Sequence, residues 1–172
     1  NLALRGFGRR LTGGEVGCFL SHLEAARRFL DSDADYGLVL EDDLMVAAGG
    51  AAGLERLVQT LRQGGARLPW LVANLGEPAR RMFTPLADLG GHLLVRAHYF
   101  PVTTTAILWN RDGAAAFLRD ASVIAMPVDH WLRRWAVGGR CGLAVNPPLF
   151  PSRQADSEID AAAQRDALPR GL

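Results

Sequence analysis

The chain has 172 residues, of which 49% are apolar and 22% charged, a composition typical of one soluble globular domain with its own core. The formal net charge of +1 favours neither a nucleic-acid-binding protein nor one with an acidic tail. All 19 basic side chains are arginine, which excludes mechanisms that need a lysine.

The number of cysteines and the hydropathy of the chain indicate the cellular compartment in which the protein works. Cys18 and Cys141 are too few for a disulfide framework, and sparse cysteines are typical of free thiols in a reducing environment. No segment approaches the roughly 20 apolar residues of a membrane-spanning helix, and no signal peptide opens the chain. We therefore expect a cytoplasmic protein. The first residue is not methionine, which is consistent with a missing N-terminus.

The first predicted element is a helix from about Gly13 to Leu30. Thr12 and Glu15 form the pattern of a capping box, in which each side chain bonds the backbone N–H of the other residue. Apolar residues then recur at helical spacing. Turn-forming residues from Asp31 to Asp35 end the helix.

The rest of the chain alternates strands with helices. Tyr36–Leu40 is a short apolar run typical of a buried strand. The stretch from Gly76 to Gly91 has no clear period and is interpreted as a long loop, a feature that is often functional. The other predicted elements are a helix over Ala51–Leu61, strands at Trp70–Leu75, Leu93–Val95, Thr103–Trp109 and Gly142–Asn146, a short helix to Leu118 capped by Asn110 or Asp112, and a helix over Val128–Ala136 with Pro127 in its first turn.

This alternation predicts an α/β domain over residues 1–154, with a mixed, largely parallel sheet flanked by helices and a C-terminal tail over residues 155–172. Ligands of such sheets lie outside the carboxyl ends of the strands. The acidic run Glu41-Asp42-Asp43 follows directly on the strand Tyr36–Leu40, at such an end.

Three adjacent carboxylates at a strand end repel one another unless a cation intervenes. Mg²⁺ or Mn²⁺ prefers oxygen ligands and commonly bridges one or two carboxylates to substrate phosphates. In extended backbone, Glu41 and Asp43 project to one side and Asp42 to the other, so the run can act as an acid-x-acid pair. The alternative, a solvated acidic turn, stays open on this pattern alone.

Five blocks along the chain closely resemble glycosyltransferase family 25, which includes bacterial lipooligosaccharide galactosyltransferases. They span about Leu11 to Gln154, and their order makes the resemblance specific. The blocks are Leu11–Leu23 with its Gly-Glu-x-Gly-Cys-x-x-Ser-His pattern, Tyr36–Asp43, Thr104–Ala106 followed by Gly113-Ala114, Met126–Leu132 with its Pro-Val-Asp, and Pro147–Leu149 with Gln154 nearby.

The resemblance implies a GT-A-like (Rossmann-type) fold, a nucleotide-sugar donor such as UDP-galactose, and Mn²⁺ or Mg²⁺ as cofactor. The acceptor would be a glycan or glycolipid hydroxyl in lipopolysaccharide, which implies peripheral association with the inner face of the cytoplasmic membrane. The family normally has a strand–helix unit before the first block, and only about ten residues stand there here. We expect no nucleic-acid partner, and the sequence does not determine the oligomeric state.

The blocks also suggest residue roles. Glu41 and Asp43 would hold the metal, while Asp42, Ser21, His22 and Thr104 would contact the donor. Asp129 is the candidate general base of an inverting transfer, although an acidic residue in a first helical turn also stabilises many helices. His130 is a candidate acceptor contact. Cys18 lies one turn before His22, as in a zinc pair, but no second pair with metal spacing follows.

Two rival functions remain open at this point. A phosphorelay receiver domain also has an acidic pair after an apolar strand, but it needs a lysine on another strand and opens with the acidic strand rather than a helix. A non-catalytic relative of the family, binding a glycan or a partner enzyme, is the other alternative. Binding of a nucleotide-sugar would discriminate between that relative and an enzyme.

Overall fold

Six strands form one sheet with helices on both faces in the computed structural model, which describes residues 7–64 and 68–153. The α/β class expected from the sequence is therefore confirmed. In chain order the elements are α1 (Gly13–Leu30), β1 (Tyr36–Leu40), α2 (Gly50–Gly64), β2 (Val72–Asn74), β3 (Phe83–Asp88), β4 (Leu93–Ala97), β5 (Ala106–Asn110), α3 (Arg111–Asp120), α4 (Val128–Gly139) and β6 (Gly142–Asn146).

The strand order across the sheet is β1-β5-β2-β6-β4-β3. Among the described strands only β2 and β6 pair in parallel, and the other four pairings are antiparallel. The sheet is thus mixed, as expected, but less parallel than expected. Apolar strands covered on both faces look alike in sequence whichever way their neighbours run, so pattern alone could not settle direction. β1, β2 and β6 nevertheless run the same way, and their carboxyl ends share one edge.

Helix α1 begins as the sequence predicts. The N–H of Glu15 donates to the Thr12 hydroxyl at 3.2 Å, and the N–H of Thr12 donates to the Glu15 carboxylate at 2.7 Å, which completes the capping box. Arg27 and Arg28 in the last turn complement the negative end of the helix dipole. Both predicted ends of the helix, Gly13 and Leu30, are confirmed.

Apolar side chains of the strands alternate between two cores, one on each face of the sheet. Ile107 and Trp109 of β5 pack with α1, α3 and α4, whereas Ala106 and Leu108 pack on the face that α2 covers. This is the period of two that a strand imposes. Burial on both faces fixes the register of the central strands, since a shift by one residue would exchange the two sets.

Two expectations about the sheet edges are wrong. The stretch Gly76–Gly91, expected to be a loop, contains β3, whose residues are almost all exposed. β3 is an edge strand whose one partner among the described strands is β4, so it lacks the apolar pattern of a buried strand. β1, expected to be buried, is only half-buried because it forms the opposite edge. The predicted tail, residues 155–172, lies outside the described residues.

The structure also tests the predictions about helix caps and about membrane-spanning helices. Of the two residues proposed to cap α3, Asn110 does so, since its side chain accepts the N–H of Gly113 at 2.7 Å. Pro127 is the N-cap of α4, just before the first turn where it was expected. Within the described ranges, no helix combines the length and apolar character needed to cross a membrane.

Candidate active site

A cavity of about 350 Å³ lies where β1 ends, and its size suits a small ligand. Five separate chain segments meet there, so its shape depends on the complete fold. The residues that line it are Arg9, Glu15 and Cys18 from the start of α1 and the segment before it, Glu41 and Asp43 from the acidic run, Val102–Thr105 before β5, Pro127–His130 at the start of α4, and Ser152.

Backbone pairing brings three of these segments together. Leu40 at the end of β1 pairs with Ala106 at the start of β5, and the N–H of Glu41 donates to the carbonyl of Thr105 at 2.9 Å. The chain after β6 then returns beside the acidic run, where the N–H of Arg153 donates to the carbonyl of Asp43 at 2.8 Å. Residues far apart in sequence are thereby fixed around one cavity.

The Glu41 carboxylate is held by side chains from α1 and from the segment before β5. The Thr104 hydroxyl donates to Oε1 of Glu41 at 2.6 Å, and Nε2 of His22 lies 3.7 Å from the same oxygen. Burial opposes ionisation of Glu41, but the neighbouring His22 ring and Thr104 hydroxyl outweigh it and lower the pKa of Glu41. Glu41 is therefore an anion at neutral pH.

The Cys18 thiol reaches the same carboxylate from one helical turn before His22. Its sulfur lies 4.0 Å from Oε1 of Glu41. Burial, and then the negative charge of Glu41, raise the pKa of Cys18 to about 11, so the residue is a neutral thiol. Cys18 and Cys141 are both free, as the sequence suggested.

The Asp43 side chain fits a divalent ion. Its Oδ2 accepts a 2.5 Å hydrogen bond from the Ser152 hydroxyl, whereas its Oδ1 is buried and has no hydrogen-bond partner in the part of the chain that is described. A buried carboxylate oxygen without a donor is costly unless a cation satisfies it. With Glu41 on the same cavity, Asp43 offers the oxygen ligands that Mg²⁺ and Mn²⁺ prefer.

The start of α4 forms another wall of the cavity. Asp129 is half-buried in the first turn of the helix, and its Oδ1 accepts the N–H of His130 at 2.7 Å. His130 is exposed, with its ring centroid 5.0 Å from that of Phe7. Asp129 thus lines the same space as the acidic pair, as a base acting on a bound acceptor would.

Comparison with known proteins shows which protein family this chain resembles. A family model described as Glycosyltransferase family 25 (LPS biosynthesis protein) matches residues 1–66, which include the acidic run and the helix that packs behind it. The resemblance to glycosyltransferase family 25 is confirmed. The match also argues against a receiver domain, since it covers the acidic run on which that alternative depended.

Relatives of family 25 extend the similarity along the chain. Procollagen galactosyltransferase 1 of Danio rerio is 33% identical over 127 residues, which is 73% of this chain and 20% of that protein. Procollagen galactosyltransferase 1-A of Xenopus laevis is 29% identical over 126 residues, 73% of this chain and 20% of that protein. The probable inactive glycosyltransferase 25 family member 3 of Bos taurus is 33% identical over 129 residues, 73% of this chain and 21% of that protein. The chain therefore spans about a fifth of the length of these relatives.

Not every residue proposed from the family 25 pattern lies on the cavity. Glu41, Asp43, Thr104, Asp129 and His130 line it. The other three lie outside the lining: Asp42 and Ser21 are exposed, and His22 is buried behind Glu41. Glu41 and Asp43 both line the cavity and Asp42 does not, although Asp42 and Asp43 lie in a turn rather than in the extended backbone that the sequence argument assumed. The roles assigned to all eight residues stay predictions.

Several residues that line the cavity were not predicted from the sequence. Ser152, which donates to Asp43, lies between Leu149 and Gln154 of the last family 25 block, and that position is the signal the sequence offers. Arg9 and Glu15 form an ion pair on the cavity wall, although Glu15 was recognised only as a helix cap. Cys18 was noted for its spacing to His22, but its contact with Glu41 depends on the tertiary fold.

Proposed function

We propose that this chain contributes the active site of a metal-dependent glycosyltransferase that moves a sugar from a nucleotide-diphosphate donor to a glycan hydroxyl. Galactose is the proposed sugar, because two of the relatives are named galactosyltransferases. The proposed acceptor is lipopolysaccharide, lipooligosaccharide or a related cell-envelope glycan, following the description of the family model. With such an acceptor, the protein would work at the inner face of the cytoplasmic membrane.

One observation carries the proposal. Glu41, Asp43 and Asp129 line a single cavity, and Oδ1 of Asp43 is buried there with no partner among residues 7–64 and 68–153. Metal-assisted transfer needs carboxylates that bind the metal ion and a separate carboxylate that accepts the proton of the acceptor hydroxyl. A solvated acidic turn would not bury one of its carboxylate oxygens without a donor.

The acidic pair serves the leaving group in this proposal. Mn²⁺ or Mg²⁺ bound by Glu41 and Asp43 would supply Lewis-acid stabilisation of the charge on the departing diphosphate. Thr104 and His22 keep Glu41 ionised and oriented, and the Ser152 hydroxyl fixes Asp43. These bonds position both carboxylates before the donor binds, which lowers the cost of reorganisation during the reaction.

Asp129 serves the acceptor. Its carboxylate would accept the proton of the acceptor hydroxyl as that oxygen attacks the sugar carbon, which inverts the configuration. Asp129 lies in the first turn of α4, near the positive end of the helix dipole. His130, exposed at the cavity rim, would bind the acceptor, while the exposed Asp42 and Ser21 would contact outer parts of the donor.

A second candidate function has its own support. A relative that is 33% identical over 129 residues is named a probable inactive glycosyltransferase, so similarity over most of this chain extends to a protein with that name. A non-catalytic chain would bind a glycan or a partner enzyme through the same cavity. Binding of a donor together with a metal discriminates between the two candidates.

Calorimetric titration of UDP-galactose into the chain, with and without Mn²⁺, tests the proposal. We expect binding that depends on Mn²⁺ in the wild type and in Asp33→Asn, a control at an exposed aspartate. Asp43→Asn should weaken this binding at least tenfold, or about 1.4 kcal/mol. No Mn²⁺-dependent binding of any nucleotide-sugar would favour the non-catalytic candidate instead.

A further inference from the structure

A second group of metal-binding side chains lies behind the acidic run. The ligand atoms of Cys18, His22 and Glu41 all lie within 4.8 Å of one another. Cys18 and His22 project from the same face of α1 because they are four residues apart, and Glu41 meets them from the end of β1. Thiolate, imidazole and carboxylate together suit zinc, unlike the oxygen ligands that suit Mn²⁺ or Mg²⁺.

One nitrogen of the His22 ring has no hydrogen-bond partner. It is only 3% exposed, and Nδ1 has no hydrogen-bond partner within the described ranges. Nε2 faces Glu41 instead and lies 3.7 Å from Oε1, within ion-pair distance. A buried ring nitrogen without a partner is costly, so the His22 ring has capacity for a further ligand.

The spacings between these side chains are close to those between ligands of one ion. Two ligand atoms on a tetrahedral zinc ion, with bonds of about 2.0 and 2.1 Å, are about 3.3 Å apart. The 3.7 Å between His22 and Glu41 and the 4.0 Å between Cys18 and Glu41 lie slightly above such separations. Small side-chain movements would bring the ligand atoms to these separations, and two of the three residues, Cys18 and Glu41, also line the cavity.

We propose that Cys18, His22 and Glu41 bind a thiophilic divalent ion of the zinc type, with an open fourth position toward the cavity. On binding, a bond forms between the ion and the Cys18 sulfur, and the thiol proton leaves to solvent. The site does not depend on the proposed glycosyl transfer. It shares Glu41 with the Mn²⁺ or Mg²⁺ pair, so an ion here and an ion at Asp43 would compete for the same carboxylate.

Cys18 is a neutral thiol in the metal-free chain, so binding of an ion would have to displace its proton. Burial and the charges of Glu41 and Asp129 disfavour its thiolate in the metal-free chain, and raise its pKa. A divalent cation would offset the charge repulsion that opposes the thiolate. Arg9 also lines the cavity and bears positive charge, but it is paired with Glu15.

Titration of the metal-free 172-residue chain with Co²⁺, followed by displacement with Zn²⁺, tests the site without any nucleotide-sugar. A near-ultraviolet sulfur-to-cobalt charge-transfer band should appear in the wild type and in Cys141→Ser, a control at a buried thiol elsewhere. The band should vanish in Cys18→Ser, and Zn²⁺ affinity should fall at least about tenfold in Cys18→Ser and His22→Ala. A wild type without the band, or a band that survives in Cys18→Ser, would overturn the proposal.

X-ray absorption by the zinc-loaded wild type provides a measurement that needs no variant. We expect one sulfur at about 2.3 Å together with nitrogen and oxygen ligands at about 2.0–2.1 Å. Nitrogen and oxygen scatterers alone would contradict the assignment. Because neither measurement uses a donor, a negative result here leaves the transferase proposal untouched, and failed donor binding leaves this site untouched.

Discussion

The Thr104 hydroxyl donates a 2.6 Å hydrogen bond to Oε1 of Glu41 and so joins the segment before β5 to the end of β1. Thr104 is buried, with 7% of its surface exposed, whereas the Glu41 side chain is 33% exposed. The bond therefore anchors one carboxylate oxygen inside the protein while the side chain still lines the cavity. Loss of this hydrogen bond would therefore change both the stability of the fold and the position of the Glu41 carboxylate in the proposed ion site.

Thr104→Val removes this hydroxyl and retains the branched shape of the side chain. We expect the free energy of unfolding to fall by about 1–2 kcal/mol, because a partly buried carboxylate loses its donor. The pKa of Glu41 should rise toward its ordinary value of 4.5. Urea denaturation measures the first effect, and NMR titration of the carboxylate measures the second.

Thr60→Val is the matched control for that substitution. The Thr60 hydroxyl donates to the carbonyl of Arg56 within α2, far from the cavity. Its loss should change stability by no more than about 0.5 kcal/mol and leave Glu41 unchanged. Equal effects of the two threonine substitutions would show that the bond to Glu41 has no special importance.

Asp129→Asn should separate donor binding from transfer. If Asp129 takes the acceptor proton, kcat falls by a factor of about 100 to 10,000 while affinity for the donor with Mn²⁺ stays the same. Asp112→Asn changes another aspartate in the first turn of a helix, on the exposed side of α3, and should preserve both properties. Loss of donor binding in Asp129→Asn would instead place this carboxylate at the donor.

Two glycine substitutions contrast a crowded helical position in α3 with an open one in α4. A Cβ on Gly113 would lie 1.9 Å from the carbonyl oxygen of Leu71, so Gly113→Ala should destabilise the protein by at least about 2 kcal/mol. A Cβ on Gly138 in α4 would meet nothing within 4 Å, so Gly138→Ala should stabilise it by about 0.5–1 kcal/mol. Thermal unfolding of both variants measures the contrast, and a tolerated Gly113→Ala would contradict this close approach.

The pH dependence of stability should reveal the Glu15 ion pair. The adjacent Arg9 guanidinium, assisted by the N–H of Thr12 and opposed by burial, holds the pKa of Glu15 below its ordinary 4.5. Because the pKa is lowered on folding, the stabilisation is complete above 4.5 and is lost as pH falls through the folded-state pKa. Glu15→Gln should therefore cost about 1–2 kcal/mol near neutral pH and progressively less in acid.

Urea titrations at about pH 7 and about pH 3 measure this difference. Glu55→Gln, at an exposed glutamate of α2, is the control and should match the wild type at both values. A Glu15→Gln deficit that stays constant with pH would mean that ionisation of Glu15 does not stabilise the fold.

Local features of the sequence predicted the elements that depend on local interactions. The capping box of Thr12 and Glu15 lies within one turn, so a four-residue pattern was sufficient to place the start of α1. The acidic run was placed at a strand end for the same reason, since an apolar run and a charged run adjoin in the sequence. β3 was not predicted, because an exposed edge strand buries neither face and so shows no alternation of apolar and polar residues.

The candidate site was predictable only in part, because its contacts join distant residues. Thr104 and Glu41 are 63 residues apart, and Ser152 and Asp43 are 109 apart. No local pattern reports such pairs, and the family resemblance named Thr104 without indicating what it contacts. The antiparallel pairing of β1 with β5, which the sequence did not predict, is the physical reason that Thr104 meets Glu41.

Anomalous scattering from crystals soaked with Mn²⁺ and UDP-galactose tests the central claim most directly. We expect one Mn²⁺ ion bound by Oδ1 of Asp43 and by Glu41, bridging to the oxygens of the diphosphate. Crystals that bind the nucleotide-sugar while both carboxylates remain without a metal ion would contradict the account.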